Sequence, residues 1–389
     1  MAAIAATFKN RILMVQALGE DGSDVLLGNL MAGEPDFYPL NFCHWPGGGV
    51  FIADGINEVH FWDGLGPTFK PVGLAAPTGT PVIAGSGAGT ISGDYIIRVR
   101  FLDVDDNPSP LSSAATSVTM ASIATFTYSS IPTPTDVRVK KKQILRNTNG
   151  QTETFYVDTE TTDLAGTSFT STATDYTISS NEAVPIFDDE GTSLLNFWAK
   201  PPDYKPCIAA HRGRLFLAGQ TPYTRGHCNV TFGSTSVTGT GTGWRSTLAN
   251  RLLQVVGHDT TYTVSSVNEA TQTITLSSQY RGTSNTFAAY QVKRADSKRN
   301  VVVYSEADEP HIWPDVNDFV VAETGDVVTA LIPTDSFLYI AFRGSLYRFT
   351  FDLNPALDGS VHFFSARGCI NQRCWARLGD ALYIIDHLG

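Results

Sequence analysis

The chain has 389 residues, 42% of them hydrophobic and only 17% charged, with a formal net charge of −11 at pH 7. That length allows about two to four globular domains, and the acidity argues against a nucleic-acid binder that uses a broad basic face. No apolar run approaches the roughly 18–20 residues needed to span a bilayer.

Helical periodicity is almost absent. Short runs of Val, Ile, Phe, Tyr and Thr alternate with Gly, Pro, Asn and Asp turns, which predicts an all-β protein. Met1-Ala2-Ala3-Ile4-Ala5-Ala6 is apolar but short and carries no basic residues before it, so it is not read as a secretion signal. Residues 1–75 form a first segment, with strands at Ile12-Leu13-Met14-Val15 and Asp24-Val25-Leu26-Leu27 and a Gly33-Glu34-Pro35-Asp36 turn. Strands at Val50-Phe51-Ile52-Ala53 and His60-Phe61-Trp62 follow, ending in an Asp63-Gly64 turn. Residues 76–190 begin with the linker Gly85-Ser86-Gly87-Ala88-Gly89. Strands at Tyr95–Phe101, Phe126–Tyr128, Val137–Lys140, Lys142–Arg146 and Thr154–Val157 then fit a β-sandwich.

Residues 191–222 contain Gly213-Arg214-Leu215-Phe216-Leu217-Ala218-Gly219, where the first segment's pattern returns. Residues 223–296 interrupt it with a Thr/Gly-rich stretch that has strands of its own, leaving and rejoining at one place as an inserted domain does. The pattern resumes in residues 297–389. Val302–Glu306 and Asp308-Glu309-Pro310-His311-Ile312-Trp313-Pro314 match the second strand and acidic-Pro turn of the first copy. Leu338–Ala341 and Leu346–Phe349 match Val50–Ala53 and His60–Trp62. A repeat of short strands that cannot bury both faces alone implies a toroidal or stacked β-architecture. The last strand, Gly379–Asp386, is expected without its hairpin partner, leaving a final blade that the N-terminal segment, another subunit or further residues would complete.

These pieces together resemble bacteriophage tail proteins, in particular the β-propeller nozzle (tail tubular) proteins of short-tailed phages. The repeat carries the resemblance, with Arg214–Gly219 and Tyr304-Ser305 to Trp313. A fibronectin-III-like module carries it too, with Tyr95–Phe101, the Asp105–Ser109 turn, Gln143–Arg146 and Phe155-Tyr156-Val157. The third element is Val237–Trp244 through Leu276 and Tyr280-Arg281-Gly282, similar to a small β-module inserted in many phage structural proteins. The resemblance implies an interrupted β-propeller (1–75, 191–222 and 297–389) with an inserted fibronectin-III/Ig-like sandwich (76–190) and a second inserted small β-domain (223–296). It implies a non-enzymatic virion protein, made in the bacterial cytoplasm, that assembles as a homo-oligomeric ring in the tail. Its partners would be portal or adaptor and other tail proteins, with tail fibres and with double-stranded DNA as transient cargo. No cofactor is implied. A tail fibre or baseplate protein binding host glycan is the alternative, and a propeller glycoside hydrolase ranks below it.

Residue patterns that point to other chemistry are better explained by structure. Asp103, Asp105 and Asn107 have the spacing of calcium-loop ligands, but Pro108 and Ala114 stand where that loop needs Gly and Glu, so a hairpin turn is expected. Asp188-Asp189-Glu190 would supply a glycosidase carboxylate pair only if the carboxylates faced one another, and adjacent residues on a connector do not. The basic run Arg138–Lys142 is split by alternating strand faces. Gly47-Gly48-Gly49 lacks the Lys-Ser/Thr of a phosphate loop and reads as a turn entering a strand. Trp45, Trp62, Trp198, Trp244, Trp313 and Trp375 are assigned to sheet packing rather than to a sugar platform. The cysteines Cys43, Cys207, Cys228, Cys369 and Cys374 are odd in number and scattered, which suits structural thiols in a reducing cytoplasm. The eight histidines form no local zinc motif, and no nucleophile elbow is visible. Residues 1–75 hold three basic against eight acidic residues, a net −5 suited to a conduit wall that does not grip DNA.

Overall fold

The computed structural model describes residues 3–9, 12–18, 24–32, 40–53, 55, 58–64, 70–187, 193–202, 205–294, 299–322, 326–379 and 381–388, and of 3–32 the backbone alone. The protein is nearly all β: thirty-one strands stand against the helical turns Asp175–Ile178 and Pro355–Asp358 and one 3₁₀ turn, among the described residues. The chain forms two compact units. The first comprises Met1–Pro71, Pro202–Val303 and Asp318–Gly389; the second comprises Val72–Pro201 and Tyr304–Asn317.

The first unit is a succession of antiparallel meanders. Ala3–Lys9, Ile12–Leu18 and Asp24–Ala32 make a three-stranded sheet, and Asn41–His44, Val50–Ala53, His60–Trp62 and Lys70–Pro71 make a four-stranded one. Cys207–His211, Arg214–Ala218, Val301–Tyr304 and Asp318–Val320 form the next, and Ala330–Pro333, Leu338–Ala341, Leu346–Thr350 and Ser360–Ser365 the one after. The hairpin Trp375–Leu378/Ala381–Ile384 ends the series. The two copies of the sequence repeat share their register: Val50 pairs with Trp62 and Ile52 with His60, while Leu338 pairs with Phe349 and Ile340 with Tyr347. The preceding strand aligns as well, since Asn41 lies opposite Ala53 as Ala330 lies opposite Ala341. What differs is the connecting turn. Gly47-Gly48-Gly49 forms it in the first copy, closed by Gly48 N–H to Trp45 O (2.9 Å) and Trp45 N–H to Gly49 O (3.1 Å). Gly48 and Gly49 sit at φ of 103° and 87°, and a Cβ on Gly49 would strike the Phe61 ring, so the triplet answers a backbone demand.

Between Ala218 and Val301 the chain builds a seven-stranded sheet that closes on itself. Its two end strands, Asn285–Ala288 and Tyr290–Lys293, are consecutive in the chain. The first pairs with His227–Val230, and the second exchanges main-chain hydrogen bonds with Tyr223 just upstream of that strand (Tyr223–Val292, 2.8 Å each way). Closure leaves one apolar interior, with Trp244, Tyr262, Tyr280, Leu253 and Val292 buried in it and Trp244 Nε1 donating to the Tyr290 hydroxyl at 2.7 Å.

The second unit packs a three-stranded sheet (Phe169–Ser171, Val118–Ser129, Val82–Tyr95) against a four-stranded one (Ala183–Pro185, Thr154–Thr161, Lys141–Arg146, Ile97–Leu102). The core between them holds Ile97, Val99, Phe126, Tyr128 and Ile144. The outer face of the four-stranded sheet is covered too: Leu145, Phe155 and Val184 pack with Leu195 and Trp198. Lys141–Arg146 is therefore buried on both faces, although four of its six residues are polar. Arg146 is the costliest of these. Its Nε donates to Asp158 at 3.0 Å, Nη1 to Asp175 at 2.8 Å and Nη2 to Ala173 O at 2.9 Å, and its guanidinium lies over the Phe126 ring at 4.1 Å. Asp158, also fully buried, accepts further bonds from Ser171 (2.6 Å) and the Tyr128 hydroxyl. Burial first, then the Asp158 carboxylate, pushes the Tyr128 phenol far above its usual range.

Two predictions rest on these buried polar groups. Arg146→Ala leaves the Asp158 carboxylate buried without its cation, and is expected to destabilise the second unit by about 3–5 kcal/mol, measured by urea unfolding at neutral pH. The second prediction concerns His211, buried beside Phe351 with its Nε2 unpartnered. Desolvation, reinforced by Arg212, lowers its pKa from 6.5 to about 4. A depressed imidazole pKa means that the unfolded chain binds the proton more readily. Stability is thus full above pH 6.5 and declines as pH falls from 6.5 toward 4, by roughly 2–3 kcal/mol. His211→Gln should flatten that part of the stability–pH curve.

Candidate functional site at the convergence of the inner strands

A loop, Ile370–Cys374, brings the first strands of three sheets in the first unit to one place. The Gln372 carboxamide accepts from Leu331 N–H at 2.7 Å and donates to Leu331 O at 2.8 Å and Ile208 O at 3.3 Å. Arg373 next to it donates through Nε (3.2 Å) and Nη2 to Leu40 O. Leu40, Ile208 and Leu331 lie at or in the opening strands of the sheets that begin at Asn41, Cys207 and Ala330. Two consecutive side chains thereby join the opening strands of three sheets.

The loop holds this posture through its own bonds. Cys369 is fully buried with its thiol facing Asn371 O at 3.1 Å, Thr329 Oγ1 donates to Cys369 O at 2.6 Å, and Asn371 Oδ1 accepts from Arg373 N–H at 2.9 Å. Burial pushes the thiols of Cys43 and Cys207 up to about 12 and raises that of Cys369, so none of these three is a nucleophile near neutral pH. All five cysteines are unpaired thiols.

Chemically, a carboxamide and a guanidinium engaged by main-chain groups bind and position. They offer no general acid, base or nucleophile. Among the described residues, no group of three or more His, Cys, Asp and Glu is placed to hold a metal ion.

The residues singled out in the sequence fall elsewhere. Asp103 spends its carboxylate on its own turn, accepting from Asp105 N–H (2.9 Å), Asn107 N–H (2.9 Å) and Asn107 Nδ2 (3.0 Å), as a hairpin turn requires. The basic run is divided among local partners. Arg138 forks onto Asp136 and reaches Gly73 O, Lys141 pairs with Asp106 and Glu160, and Lys142 turns inward to Gly166 O and the Phe169 ring. Trp45, Trp62, Trp244 and Trp313 are buried, while Trp198 and Trp375 are half-buried against core clusters. Trp244 packs inside the closed sheet of the insertion, and Trp198 and Trp313 belong to the second unit. Asp188-Asp189-Glu190 and the Gly33–Pro39 turn lie outside the described residues. Gln372 and Arg373 went unnoticed in the sequence. The one signal was a polar Asn-Gln-Arg run between two buried-type cysteines, and spacing says nothing of which backbone such a run will reach.

No family model matches the chain, and no curated protein sequence matches it significantly.

Gln372→Ala removes three hydrogen bonds and leaves the Leu331 N–H without its acceptor. It is expected to cost about 2–4 kcal/mol, read by urea unfolding of the full chain. Gln372→Glu keeps the acceptor but sets a carboxylate against the Leu331 and Ile208 carbonyl oxygens, and is expected to cost at least as much at neutral pH.

Proposed function

We propose that the chain is a structural subunit of a bacteriophage tail. In this reading the first unit is an interrupted β-propeller whose blades are the successive meanders, and the closed seven-stranded sheet is a module inserted in one blade. The second unit is a fibronectin-III-like sandwich. Several copies form a ring in the tail, stacked on a portal or adaptor ring, and DNA passes through the ring.

The observation that carries this proposal is the register-matched repeat of antiparallel meanders whose first strands converge on Gln372 and Arg373. Propeller blades meet their axis through their innermost strands, and two repeat copies in one register supply the blade unit. The three-plus-four sheet pairing of the second unit supports the fibronectin-III-like reading. Because the Ile370–Cys374 loop sits among the inner strands, a DNA path through the axis of a single subunit is disfavoured. The conduit would run between copies, past acidic surfaces that do not hold phosphates.

A glycan-binding fibre or baseplate protein is the second reading. One observation favours it: the inserted module presents exposed Phe232 and Phe287, with Arg281 over the first ring and His227 stacked on the second at 3.6 Å. Aromatic rings flanked by polar groups suit sugar recognition, yet here both faces are already partly taken by those neighbours. A hydrolase would need carboxylates gathered at the axis, where Gln372 and Arg373 stand instead.

Immunogold labelling of particles in the source lysate with an antibody to this chain is the expected discriminator. Label at one vertex, close to the head, supports the nozzle; label far from the head favours the fibre. Unlabelled particles with free antigen, together with a fall in polysaccharide viscosity on adding the purified chain, would defeat the structural reading.

A further inference from the structure

An edge strand leaves a row of main-chain N–H and C=O groups open to any chain that can pair with it, and proteins ordinarily cover, shorten or charge it. In the second unit Ile97–Leu102 is a covered edge. Phe101 and Val99 N–H donate to the Ser109 and Ser112 hydroxyls at 2.9 Å, and Ser109, Ser112 and Ala115 N–H donate back to Phe101, Val99 and Ile97 O at 2.8–2.9 Å. Lys70–Pro71, Phe169–Ser171, Ala183–Pro185 and Asp318–Val320 are only two or three residues long. Cys207–His211 is buried, and the sheet of the insertion closes on itself.

Two edges are instead long and exposed. They are Val82–Tyr95, bordering one sheet of the second unit, and Ser360–Ser365, bordering a sheet of the first. Val82–Gly93 and Ser360–Ser365 contain no Lys, Arg, Asp, Glu or Pro. Among the described residues, Val82–Ile91 pairs only with Val118–Ser129, and Ser360–Ser365 only with Leu346–Thr350.

The two edges differ in a complementary way. On Ser360–Ser365, Phe363 is 62% and Phe364 54% exposed. Phe363 touches Tyr347 at 5.6 Å and Phe364 touches Tyr339 at 5.2 Å, and those tyrosines lie on opposite faces of their sheet. This edge therefore offers an uncovered ring on each face. Val82–Tyr95 has the opposite character: Ala84-Gly85-Ser86-Gly87-Ala88-Gly89 is exposed throughout and carries no side chain larger than that of serine. A glycine-rich edge lacks cross-strand packing of its own, and an aromatic side chain on a neighbouring strand supplies it. No carboxylate stands on either edge, so the net charge of −11 sets no like charges against each other where they would meet.

We propose that Ser360–Ser365 of one copy adds as a strand beside Val82–Ser86 of the next, the stretch that pairs regularly with Thr125–Ser129 on its other side. Each copy then gives one edge and accepts on the other, a head-to-tail contact that closes into a ring when the rotation allows. The proposal rests on the ring reading and names its contact surfaces, yet the two fail separately. An assembly that survives the loss of either edge would refute the pairing and leave the ring intact.

Sedimentation of two edge variants is the test. Ala84→Lys blocks the accepting edge and Phe363→Lys the donating one, both at exposed positions. The unmodified chain is expected to associate and each variant alone to stay a monomer. An equal mixture should form a heterodimer and nothing larger, because each variant supplies the edge that the other lacks. Val137→Lys, 86% exposed and outside both strands, should associate as the unmodified chain does. Association of Ala84→Lys alone would assign the aromatic edge to a two-fold pairing with itself and overturn the proposal. So would an unmodified chain that stays a monomer, a mixture that does not pair, or loss of association in Val137→Lys. p-Benzoylphenylalanine at Phe363 keeps an aromatic there and gives a second readout that introduces no charge. With light and heavy-isotope copies mixed, the photo-adduct should join the two isotopes and map within residues 82–90. An adduct confined to one copy, or mapping elsewhere, would equally overturn the pairing.

Discussion

A short antiparallel meander with apolar residues on both faces has no stable existence alone, and this constraint governs the first unit. Leu338, Ile340, Ala341 and Phe349 are all buried, on strands only four or five residues long. Such a sheet needs a neighbour on each side. Each meander therefore supplies half of the next interface, and the series continues until a polar face, a ring closure or another molecule ends it. The aromatic contacts between successive sheets, Phe216 and Phe319 with Phe349, are that requirement met in atoms.

Stacked sheets alone would slide, since apolar burial is not directional. Directional bonds fix their relative positions, and they are few. Gln372 and Arg373 join the opening strands of three sheets through main-chain carbonyls, which are present whatever the side chains are. The same division of labour recurs in the second unit, where the core between the sheets is apolar but Arg146, Asp158 and Tyr128 lock one sheet to the other. The closed sheet of the insertion combines both: its interior is filled around Trp244, and Trp244 Nε1 donates across it to the Tyr290 hydroxyl.

The same choices give both units rigidity. The bonded Arg146 guanidinium, buried thiols held protonated and the bonded Ile370–Cys374 loop each contribute to it. Inserting modules between paired strands enlarges the surface without disturbing the sheet beneath. Leu217 and Val302 remain buried in one sheet although the whole insertion separates them in the chain.

The all-β class was legible in the sequence because strand period and turn residues are local. The alternation in Tyr95–Phe101 and the glycine triplet at Gly47–Gly49 each carry their reason within a few residues. The register of the repeat was legible too, because Val50–Ala53 and Leu338–Ala341 keep the same apolar spacing. The split of Arg138–Lys142 was expected from strand faces but arises otherwise: Val137–Lys140, expected as a strand, is a turn and its exit, and only Lys141 and Lys142 lie in a strand. Gln372, Arg373 and His211 were not legible, and neither was the cage around Arg146. Their partners are remote in the chain (Leu40, Ile208, Asp175), or are main-chain atoms that every residue possesses, so no residue type announces them. Sequence by itself determined the all-β class and which residues seek burial, but not every strand: Gly85–Gly89, expected as a linker, lies inside the strand Val82–Tyr95. Only the tertiary structure decided which sheets meet and where an arginine finds its carbonyl, because those contacts exist only once distant strands have been brought together.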